Sequence, residues 1–383
     1  MNITHIFLYG EYTDNWSYQE NMMTKFQSRA GHSVSLITTE WAIGNDGKSF
    51  RIDQNDYIDD FGVRIIRLPI KDGRDISYKF KRFDNIYLTL DKLNPNVIFV
   101  HCPQFLDVDK VLNYKKDHPE VRLYVDNHAD FENSATNWLS KNILHKIIWR
   151  YFVQKLLPYT EKIYGVLPAR VDFLKTMYDV PSNKCELLVM GADIEIIREN
   201  KQKCIRKKIR EMYKIDDDCV LVLSGGKIDK NKPEVLNLME AFAEIGIKNT
   251  KLMIFGSVID EYKTKFNELL SNNNVIYVGW QKSEDIYAFF EASDLIVFPG
   301  LHSVLWEQAV GTGKACLFRK LEGFDHVDLG GNCEFINGTS KKVILKKLRS
   351  VLENNNWKKM QEIAQTKGID YFSYEDISKR SIC

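Results

Sequence analysis

Two stretches of the sequence combine residue types that suit a phosphorylated ligand. In the first, 225–233, Gly225 and Gly226 are followed by Lys227 and Lys232 and then by a proline suited to the first position of a helix. Glycines let the backbone approach a ligand, and the lysines put positive charge where the dipole of the next helix already favours an anion. A diphosphate would fit there, and a lysine-rich surface turn is the alternative.

The second stretch, 298–309, reads as a strand end followed by a helix start. If Ser303 caps this helix, the carboxylate of Glu307 lies one turn inside it on the same face. That carboxylate can accept two hydrogen bonds from a ribose diol while the helix end faces phosphate. For Glu307 taken alone, a solvated glutamate favoured by the helix dipole is the alternative.

The composition excludes several classes of protein. The 383 residues are 44% apolar and 27% charged, which is typical of a globular chain of two or three domains. A net charge of +1 gives no overall field for nucleic acid, and apolar runs such as Val97–Val100 are too short to span a bilayer. The seven cysteines form no C-x-x-C pair and the N-terminus lacks a signal-peptide pattern, so we expect a cytoplasmic protein with reduced thiols.

Short apolar runs alternate with helix-length amphipathic segments, a pattern that predicts an α/β fold with parallel sheets. The pattern restarts after a polar break near Ile194–Asp218, and each half opens with a strand, a glycine loop and a helix. We therefore expect two doubly wound, Rossmann-like domains, 1–198 and 199–364, facing across a cleft that holds the ligand. The tail 365–383 is expected to pack back on the first domain. The predicted strands are 5–9, 33–38, 64–68, 97–100, 123–126, 163–166, 185–189, 220–223, 251–255, 275–278, 295–298 and 315–318.

The order of these motifs resembles the retaining GT-B glycosyltransferases of glycosyltransferase family 4, over nearly the whole chain. The stretches 18–21, 31–34 and 37–39 are similar to that family's opening loop, helix and strand. Lys227 and Lys232 match by spacing the Arg and Lys that grip the donor diphosphate, with Lys in place of Arg at the first position.

The resemblance also implies the site residues. Glu307 fits the second of the family's two glutamates eight positions apart, which contacts ribose, whereas Pro299 stands at the first, so a variant subfamily of bacterial surface-polysaccharide enzymes is implied. His128 is similar to the histidine beside the reacting sugar carbon, and a structural histidine is its alternative. The implied catalytic residues are His128, Lys227, Lys232 and Glu307. The implied donor-binding residues are Gly10, Gly226, Lys227, Lys232, Trp280, His302, Ser303, Val304 and Glu307, and the acceptor-side residues are Asn15, Trp16, Tyr18, Gln19 and His128.

By this resemblance, a hexose-type sugar passes from a UDP- or GDP-sugar to a saccharide or lipid-linked saccharide acceptor with retention of configuration. Positive charge and helix dipoles stabilise the leaving diphosphate, so no metal or other cofactor is expected. The triplet 107–109 carries the two aspartates that metal-dependent relatives of another fold use, but a helix start is the favoured interpretation. A nucleotide-sugar epimerase of the same fold, with Glu11, Asp14 and Glu20 as acid or base groups, is one alternative. A catalytically degenerate binding partner is the other.

Two segments could contact an anionic membrane surface, which a lipid-linked acceptor would favour. The segment 78–83 alternates basic and aromatic residues. In the segment 139–157, Leu139, Ile143, Ile147 and Tyr151 share one helical face, for which contact with the core is the favoured alternative.

Overall fold

The computed structural model describes residues 1–44, 48–71, 78–230, 233–353 and 355–383. The chain forms two compact units, Met1–Val189 with Ile377–Cys383, and Met190–Asp376. The division therefore falls before the expected boundary at 198/199, and the last seven residues rather than the whole segment 365–383 group with the first unit.

The early boundary follows from hydrogen bonds around Ala192 and Asp193. The Ala192 amide donates to the Phe372 carbonyl (2.7 Å), and the Ala192 carbonyl accepts from the Tyr374 amide (3.1 Å). Asp193 caps the next helix by accepting from the Glu195 amide at 3.0 Å. These bonds attach the segment after Val189 to the second unit.

The first unit is built on an eight-stranded sheet in the order β10-β9-β8-β7-β1-β2-β6-β5, in which only the edge strand β5 is antiparallel to its neighbour. A separate antiparallel pair is formed by β3 and β4. The strands are β1 Asn2–Phe7, β2 Ser33–Thr39, β3 Trp41–Ile43, β4 Ser49–Arg51, β5 Asp56–Ile58, β6 Arg64–Leu68, β7 Val97–His101, β8 Arg122–Asn127, β9 Lys162–Gly165 and β10 Cys185–Leu187.

Helices connect the parallel strands of this sheet. They are α1 Gln19–Arg29, α2 Ile86–Leu93, α3 Val108–Asp117, α4 Arg150–Leu156 and α5 Pro168–Tyr178, with 3-10 turns at Tyr78–Phe80 and Leu157–Tyr159. The helix predicted over 139–157 begins as a π-helix, Ser140–Trp149, which continues directly into α4. The triplet 107–109 is a helix start, as favoured, because α3 begins at Val108.

The second unit is an all-parallel sheet in the order β13-β12-β11-β14-β15-β16. Its strands are β11 Val220–Gly225, β12 Thr250–Phe255, β13 Val275–Tyr277, β14 Leu295–Phe298, β15 Ala315–Arg319 and β16 Cys333–Ile336. Its helices are α6 Ile194–Gln202, α7 Ile205–Met212, α8 Glu234–Ala243, α9 Asp260–Leu270, α10 Ile286–Ala292, α11 Leu305–Gly311, α12 Lys341–Leu352, α13 Asn356–Ile363, a π-turn Ala364–Gly368, α14 Ile369–Tyr371 and α15 Tyr374–Arg380, within which the unit boundary falls.

The predicted strands are all present, with ends shifted by at most three residues. They were recognisable because a parallel strand buried on both faces is apolar along its length, as in β7 and β14. The pattern missed β3, β4, β5 and β16. These are short strands, and β4 is fully exposed, so it carries no apolar run.

The loops after β11 and β12 touch backbone to backbone. A Cβ on Gly256, whose φ is +116°, would lie 1.9 Å from the Gly226 carbonyl oxygen, and a Cβ on Gly225 would lie 2.3 Å from the Phe255 carbonyl oxygen. Gly225, the last residue of β11, is therefore required for packing against the end of the neighbouring strand β12, rather than for approach of a ligand.

This contact predicts a difference between two glycine substitutions in the second unit. Gly279→Ala places a side chain at φ +74° with no atom within 4 Å of the new Cβ, so it should cost about 1 kcal/mol. Gly256→Ala has the same kind of backbone penalty together with the clash, and should lower the urea midpoint of unfolding several times more. Equal losses in the two variants would contradict the described loop packing.

Candidate active site

The predicted donor residues of the second unit lie at one edge of its sheet. Gly226 follows β11, Trp280 follows β13 and His302 follows β14. Because these strands are parallel, their carboxyl ends meet at the same edge, where ligands of open α/β sheets bind.

Gly226 adopts a φ of +114° and leaves room beside its backbone. The nearest atom to a Cβ built there is Cδ1 of Leu305, at 3.9 Å. Leu305 is the first residue of α11, so the glycine loop and the start of that helix are neighbours. The two stretches singled out in the sequence are therefore adjacent in space.

Lys227 is the predicted diphosphate-binding lysine of this loop that the structure describes. Its side chain is 70% exposed, and its Nζ lies 3.6 Å from Oδ2 of Asp229, a weak pairing that leaves the ammonium free to move. Lys232 lies outside the described residues. Pro233 directly precedes α8, which begins at Glu234.

Glu307 is fully buried in the first turn of α11. Its Oε1 accepts hydrogen bonds from Nε2 of His302 and Nε2 of His326, each at 2.8 Å. The alternative of a solvated glutamate is therefore wrong. Both histidines are themselves nearly buried.

The two histidines determine the electrostatics of Glu307. Burial would raise the pKa of this carboxyl, but the attraction of His302 and of His326 outweighs burial and holds the pKa well below its ordinary range. Its second oxygen, Oε2, is buried and has no hydrogen-bond partner among the described residues, and neither has Nδ1 of His326. A buried acceptor without a partner is costly, so a ligand that donates to it would bind favourably.

The start of α11 differs from the prediction by one residue. The helix begins at Leu305, so Val304 rather than Ser303 precedes it, and Val304 makes no side-chain cap. The Ser303 carbonyl accepts from the Trp306 amide at 2.9 Å. Phosphate binding by the backbone of Ser303 and Val304 stays a prediction.

Trp280 is 58% exposed in the loop after β13. The loop is fixed by a hydrogen bond from the Gly256 amide to the Gly279 carbonyl (2.8 Å). The indole thus lies on the predicted edge, and its contact with a base stays a prediction.

In the first unit, the loop between β1 and α1 is anchored by the buried Arg67. This guanidinium donates to the carbonyls of Tyr12 (3.1 Å) and Thr39 (3.0 Å) and pairs with Asp14 at 3.1 Å. The loop contains Gly10, three residues after the end of β1 at Phe7. The backbone of this loop is therefore held in place by Arg67.

The acceptor-side residues do not share one environment. Asn15 is exposed and donates to Asp60 Oδ2 at 2.9 Å, and Trp16 contacts the half-exposed Tyr18 ring edge to face at 5.2 Å. Gln19 is instead buried at the start of α1, and neither of its amide atoms has a partner among the described residues.

His128 follows β8 and is 24% exposed. Its Nε2 lies 3.4 Å from Oδ1 of the buried Asp126, whose Oδ2 lies 2.8 Å from Nδ1 of His101. Burial would raise the pKa of Asp126, but His101 and then His128 outweigh burial and hold the pKa well below its ordinary range. One side of His128 is thus held by a carboxylate, and part of its ring reaches solvent.

Sequence reasoning missed one histidine partner of each carboxylate, His326 for Glu307 and His101 for Asp126. His326 follows β15, nineteen residues after Glu307, and His101 ends β7 beside β8. For His101 the available signal was its position next to the end of a predicted parallel strand, beside the strand that precedes His128. His326 lies seven residues beyond the end of β15, so no such signal marked it.

Among the described residues, two groups have donor atoms within 4.8 Å of one another, close enough for one metal ion. They are His302 with Glu307 and His326, and Asp126 with His128 and Cys102. In both, a carboxylate oxygen already accepts hydrogen bonds from the protein, which explains the grouping by itself. Metal independence stays a prediction.

Residues 205–367 match the family model for glycosyl transferases group 1. A search of curated proteins by sequence finds no match.

Similar solved structures cover 99% of this chain and 98% of their own. Anabaena HepE in complex with UDP has a TM-score of 0.68 at 12% identity, and WaaG, a glycosyltransferase involved in lipopolysaccharide biosynthesis, has 0.61 at 16%. A UDP-GlcNAc 2-epimerase from Neisseria meningitidis bound to UDP-GlcNAc has 0.63 at 12%.

These likenesses confirm the predicted fold, in which two Rossmann-like sheets form the GT-B architecture. The family match over 205–367 distinguishes within that fold, because it is a match to transferases. Together, the match and the fold support a glycosyltransferase of the GT-B type.

Proposed function

We propose that the protein transfers a hexose-type sugar from a UDP- or GDP-sugar to a saccharide or lipid-linked saccharide of a surface polysaccharide, with retention of configuration and without a metal. The observation that carries the proposal is the buried Glu307, whose Oε1 is bound by two histidines while its Oε2 has no partner among the described residues. It lies at the edge of the sheet beside the glycine loop.

Glu307 suits the ribose of a nucleotide. A ribose diol offers two hydroxyl donors, and an ionised carboxylate accepts from donors more strongly than a neutral group does. His302 and His326 keep the carboxylate ionised and fix its orientation. Oε2, which is buried and has no partner among the described residues, is then the atom to which a hydroxyl donates.

The leaving diphosphate requires positive potential. Lys227 is exposed, lies in the glycine loop and can turn toward a diphosphate beside Gly226. Lys232 is assigned to the same role by the resemblance. Preorganised charge at the leaving group lowers the barrier without a protein nucleophile. We assign His128 to the reacting sugar, also by resemblance.

The epimerase alternative needs free acid and base groups in the opening loop. Asp14 is instead paired with Arg67 and accepts from the Tyr57 hydroxyl at 2.7 Å, and Glu11 accepts from the Ser49 hydroxyl at 2.9 Å. Burial raises the pKa of Glu20, which makes it the strongest of the three candidates. The engagement of the other two favours a transferase.

Calorimetry with UDP and with GDP in the presence of EDTA tests the donor site. One nucleotide should bind at micromolar concentration, and Glu307→Ala should weaken it about tenfold to a hundredfold, because a hydrogen bond to a charged group is lost. Lys227→Ala should also weaken binding.

Lys230→Ala is the matched control for Lys227→Ala, since Lys230 is an equally exposed lysine of the same loop that pairs with Glu261. Its affinity should equal that of the wild type within about twofold. Binding that is indifferent to both Glu307→Ala and Lys227→Ala would remove the proposed site.

Turnover separates transfer from the alternatives. With a UDP- or GDP-sugar and a saccharide acceptor, NMR should show a glycoside with the anomeric configuration of the donor. Without acceptor, nucleoside diphosphate should be released only at the slow rate of donor hydrolysis. Interconversion of free nucleotide sugars would identify an epimerase. Binding without turnover over a panel of donors and acceptors would favour the degenerate partner.

We also propose that the helix 140–156 docks on an anionic membrane surface, where a lipid-linked acceptor would lie. Several apolar side chains of this segment are exposed. The exposed fractions are 70% for Trp138 and 58% for Leu139, just before the helix, and 58% for Ile147 and 57% for Tyr151 within it. The favoured alternative, that this face packs on the core, is therefore wrong. The core is contacted by the face of Trp149 and Val153 instead.

The charges beside the exposed apolar side chains Trp138, Leu139, Ile147 and Tyr151, here called the apolar stripe, favour an anionic membrane as its binding partner. Lys141, Lys146 and Lys155 are exposed on the same helix, and Lys155 lies over the Tyr151 ring at 4.8 Å. Apolar side chains flanked by lysines match the interface of an anionic bilayer. No helix in the described ranges is long and apolar enough to cross a membrane.

The segment 78–83 is not part of this surface. Phe83 is buried and its amide donates to Asp107 Oδ2 at 2.6 Å, while Arg82 pairs with the other oxygen of Asp107 at 2.6 Å. Phe80 packs on Trp149 with ring centroids 5.7 Å apart. The aromatic side chains of the segment 78–83 therefore pack in or against the hydrophobic core of the first unit.

Sedimentation with vesicles tests the docking surface. The wild type should bind vesicles that contain phosphatidylglycerol more tightly than neutral phosphatidylcholine vesicles. The pair Trp138→Ser and Ile147→Ser should reduce binding at least tenfold, because burial of one large apolar side chain contributes about 1.5–3 kcal/mol. Leu88→Ser, which removes another exposed leucine of the first unit, is the control and should have no effect. Equal binding to both vesicle types would contradict the proposal.

A further inference from the structure

A line of buried hydrogen bonds runs behind His128. His101 Nδ1 lies 2.8 Å from Asp126 Oδ2, and His101 Nε2 lies 2.9 Å from Nδ1 of His5. His5 Nε2 lies 2.6 Å from Oε1 of Gln27, whose Nε2 donates to the Ser378 carbonyl at 3.4 Å. Asp126, His101, His5 and Gln27 are each at most 1% exposed.

The sheet explains why these side chains meet. His101 and Asp126 are register partners on β7 and β8, and His5 is the partner of Phe99, two residues before His101 on the same face. Gln27 reaches the line from α1. All these residues, with Ser378, belong to the first unit.

The partners of Gln27 fix the direction of every proton in the line. A carbonyl only accepts, so the Gln27 amide nitrogen faces Ser378 and its oxygen faces His5. His5 must then donate through Nε2. Burial, followed by the nearby His101, lowers the pKa of His5 to about 3, so its Nδ1 carries no proton and accepts.

The hydrogen-bond partners of His101 also decide which of its ring nitrogens carry protons. Its Nε2 must donate, because the atom it faces, Nδ1 of His5, is an acceptor. Its Nδ1 faces the carboxylate of Asp126, which is also only an acceptor. Both ring nitrogens therefore carry protons, and His101 is an imidazolium paired with a buried carboxylate.

We propose that His101 stays doubly protonated in the folded protein and acts as a positioning residue, which keeps Asp126 ionised so that Asp126 orients His128. The functional part of this inference rests on the proposed glycosyl transfer. Asp126 has its remaining oxygen between the Cys102 amide (3.1 Å) and His128 Nε2 (3.4 Å). Loss of the charge on His101 would leave a buried carboxylate short of a partner and free to take up a proton.

Other titratable groups surround this pair. They are Glu20 on α1, Tyr9 after β1, Cys102 after β7 and His128 after β8. Burial raises the pKa of Glu20, which favours its neutral form and leaves Asp126 as the principal anion facing His101. Nearby Cys102, together with burial, raises the pKa of Tyr9 above its ordinary range, so its phenol stays neutral.

The protonation of His101 is measured directly by nitrogen NMR of the wild-type protein labelled with ¹⁵N-histidine. The His101 signals are assigned by their loss in His101→Gln. Both ring nitrogens should have imidazolium shifts and attached protons from pH 6 to pH 9, whereas exposed histidines become neutral over this range. A neutral His101 at pH 7.5 would overturn the proposal, whether or not the protein transfers sugar.

The positioning role is measured by kinetics. His101→Gln keeps a hydrogen-bonding side chain but cannot carry the charge, so kcat should fall at least tenfold. The Kd for UDP or GDP should stay within twofold of the wild type, because all the proposed donor residues except Gly10 lie in the other unit. The control is His118→Gln, a histidine of the same unit outside the line, beside Glu120. It should keep the wild-type kcat.

The outcomes separate the two proposals. An unchanged kcat in a folded His101→Gln protein would overturn the positioning role while glycosyl transfer stands. Absence of transfer by the wild type would defeat the proposed function, and the NMR result would still decide the protonation of His101. If His101→Gln does not fold, the His101 and His5 signals are assigned by triple-resonance NMR of the wild type, and Gln27→Leu replaces the variant. The released His5 should then no longer hold a fixed tautomer, and unaltered His101 and His5 signals would contradict the line.

Discussion

A carboxylate removed from water must be paired with positive charge or hydrogen-bond donors, and both candidate sites are organised around this requirement. Glu307 in the second unit and Asp126 in the first unit are both fully buried. In each case the partners are histidines on neighbouring loops or strands. The sheet edges bring these residues together, because parallel strands that are adjacent in space place their carboxyl ends side by side even when they are far apart in sequence.

The sequence was sufficient for the parts of the structure that depend on local pattern. A strand buried on both faces must be apolar throughout, so β7, β11 and β14 were found as runs. The glycine loop and the acid of α11 were found because each stands at a fixed distance from its own strand. One of the two histidine partners of Glu307 was not found, since His326 reaches it only through the pairing of β14 with β15. No local pattern encodes that pairing.

For the helix 140–156 the local apolar pattern was recognised, but the favoured expectation that this apolar face packs on the core was wrong. Apolar residues four apart predict a face that packs inward when the helix is an α-helix. The first ten residues here are wound as a π-helix, and the residues that point inward are Ser140, His145 and Trp149. The inward set mixes polar and apolar types, because His145 is held by the Tyr178 hydroxyl at 2.6 Å rather than by apolar contact. The apolar stripe is consequently left exposed.

The two buried carboxylates differ in how many of their acceptor positions are used, and this difference separates their roles. Asp126 faces His101 with one oxygen, and the Cys102 amide and His128 with the other. A fully engaged carboxylate cannot bind a ligand without losing a protein contact, so it is suited to hold a neighbouring ring. Glu307 receives both histidines on Oε1, and its Oε2 has no partner in the described part of the chain. The same pairing chemistry thus produces a positioning group in one unit and a binding group in the other, and the distribution of donors over the two oxygens decides which it is.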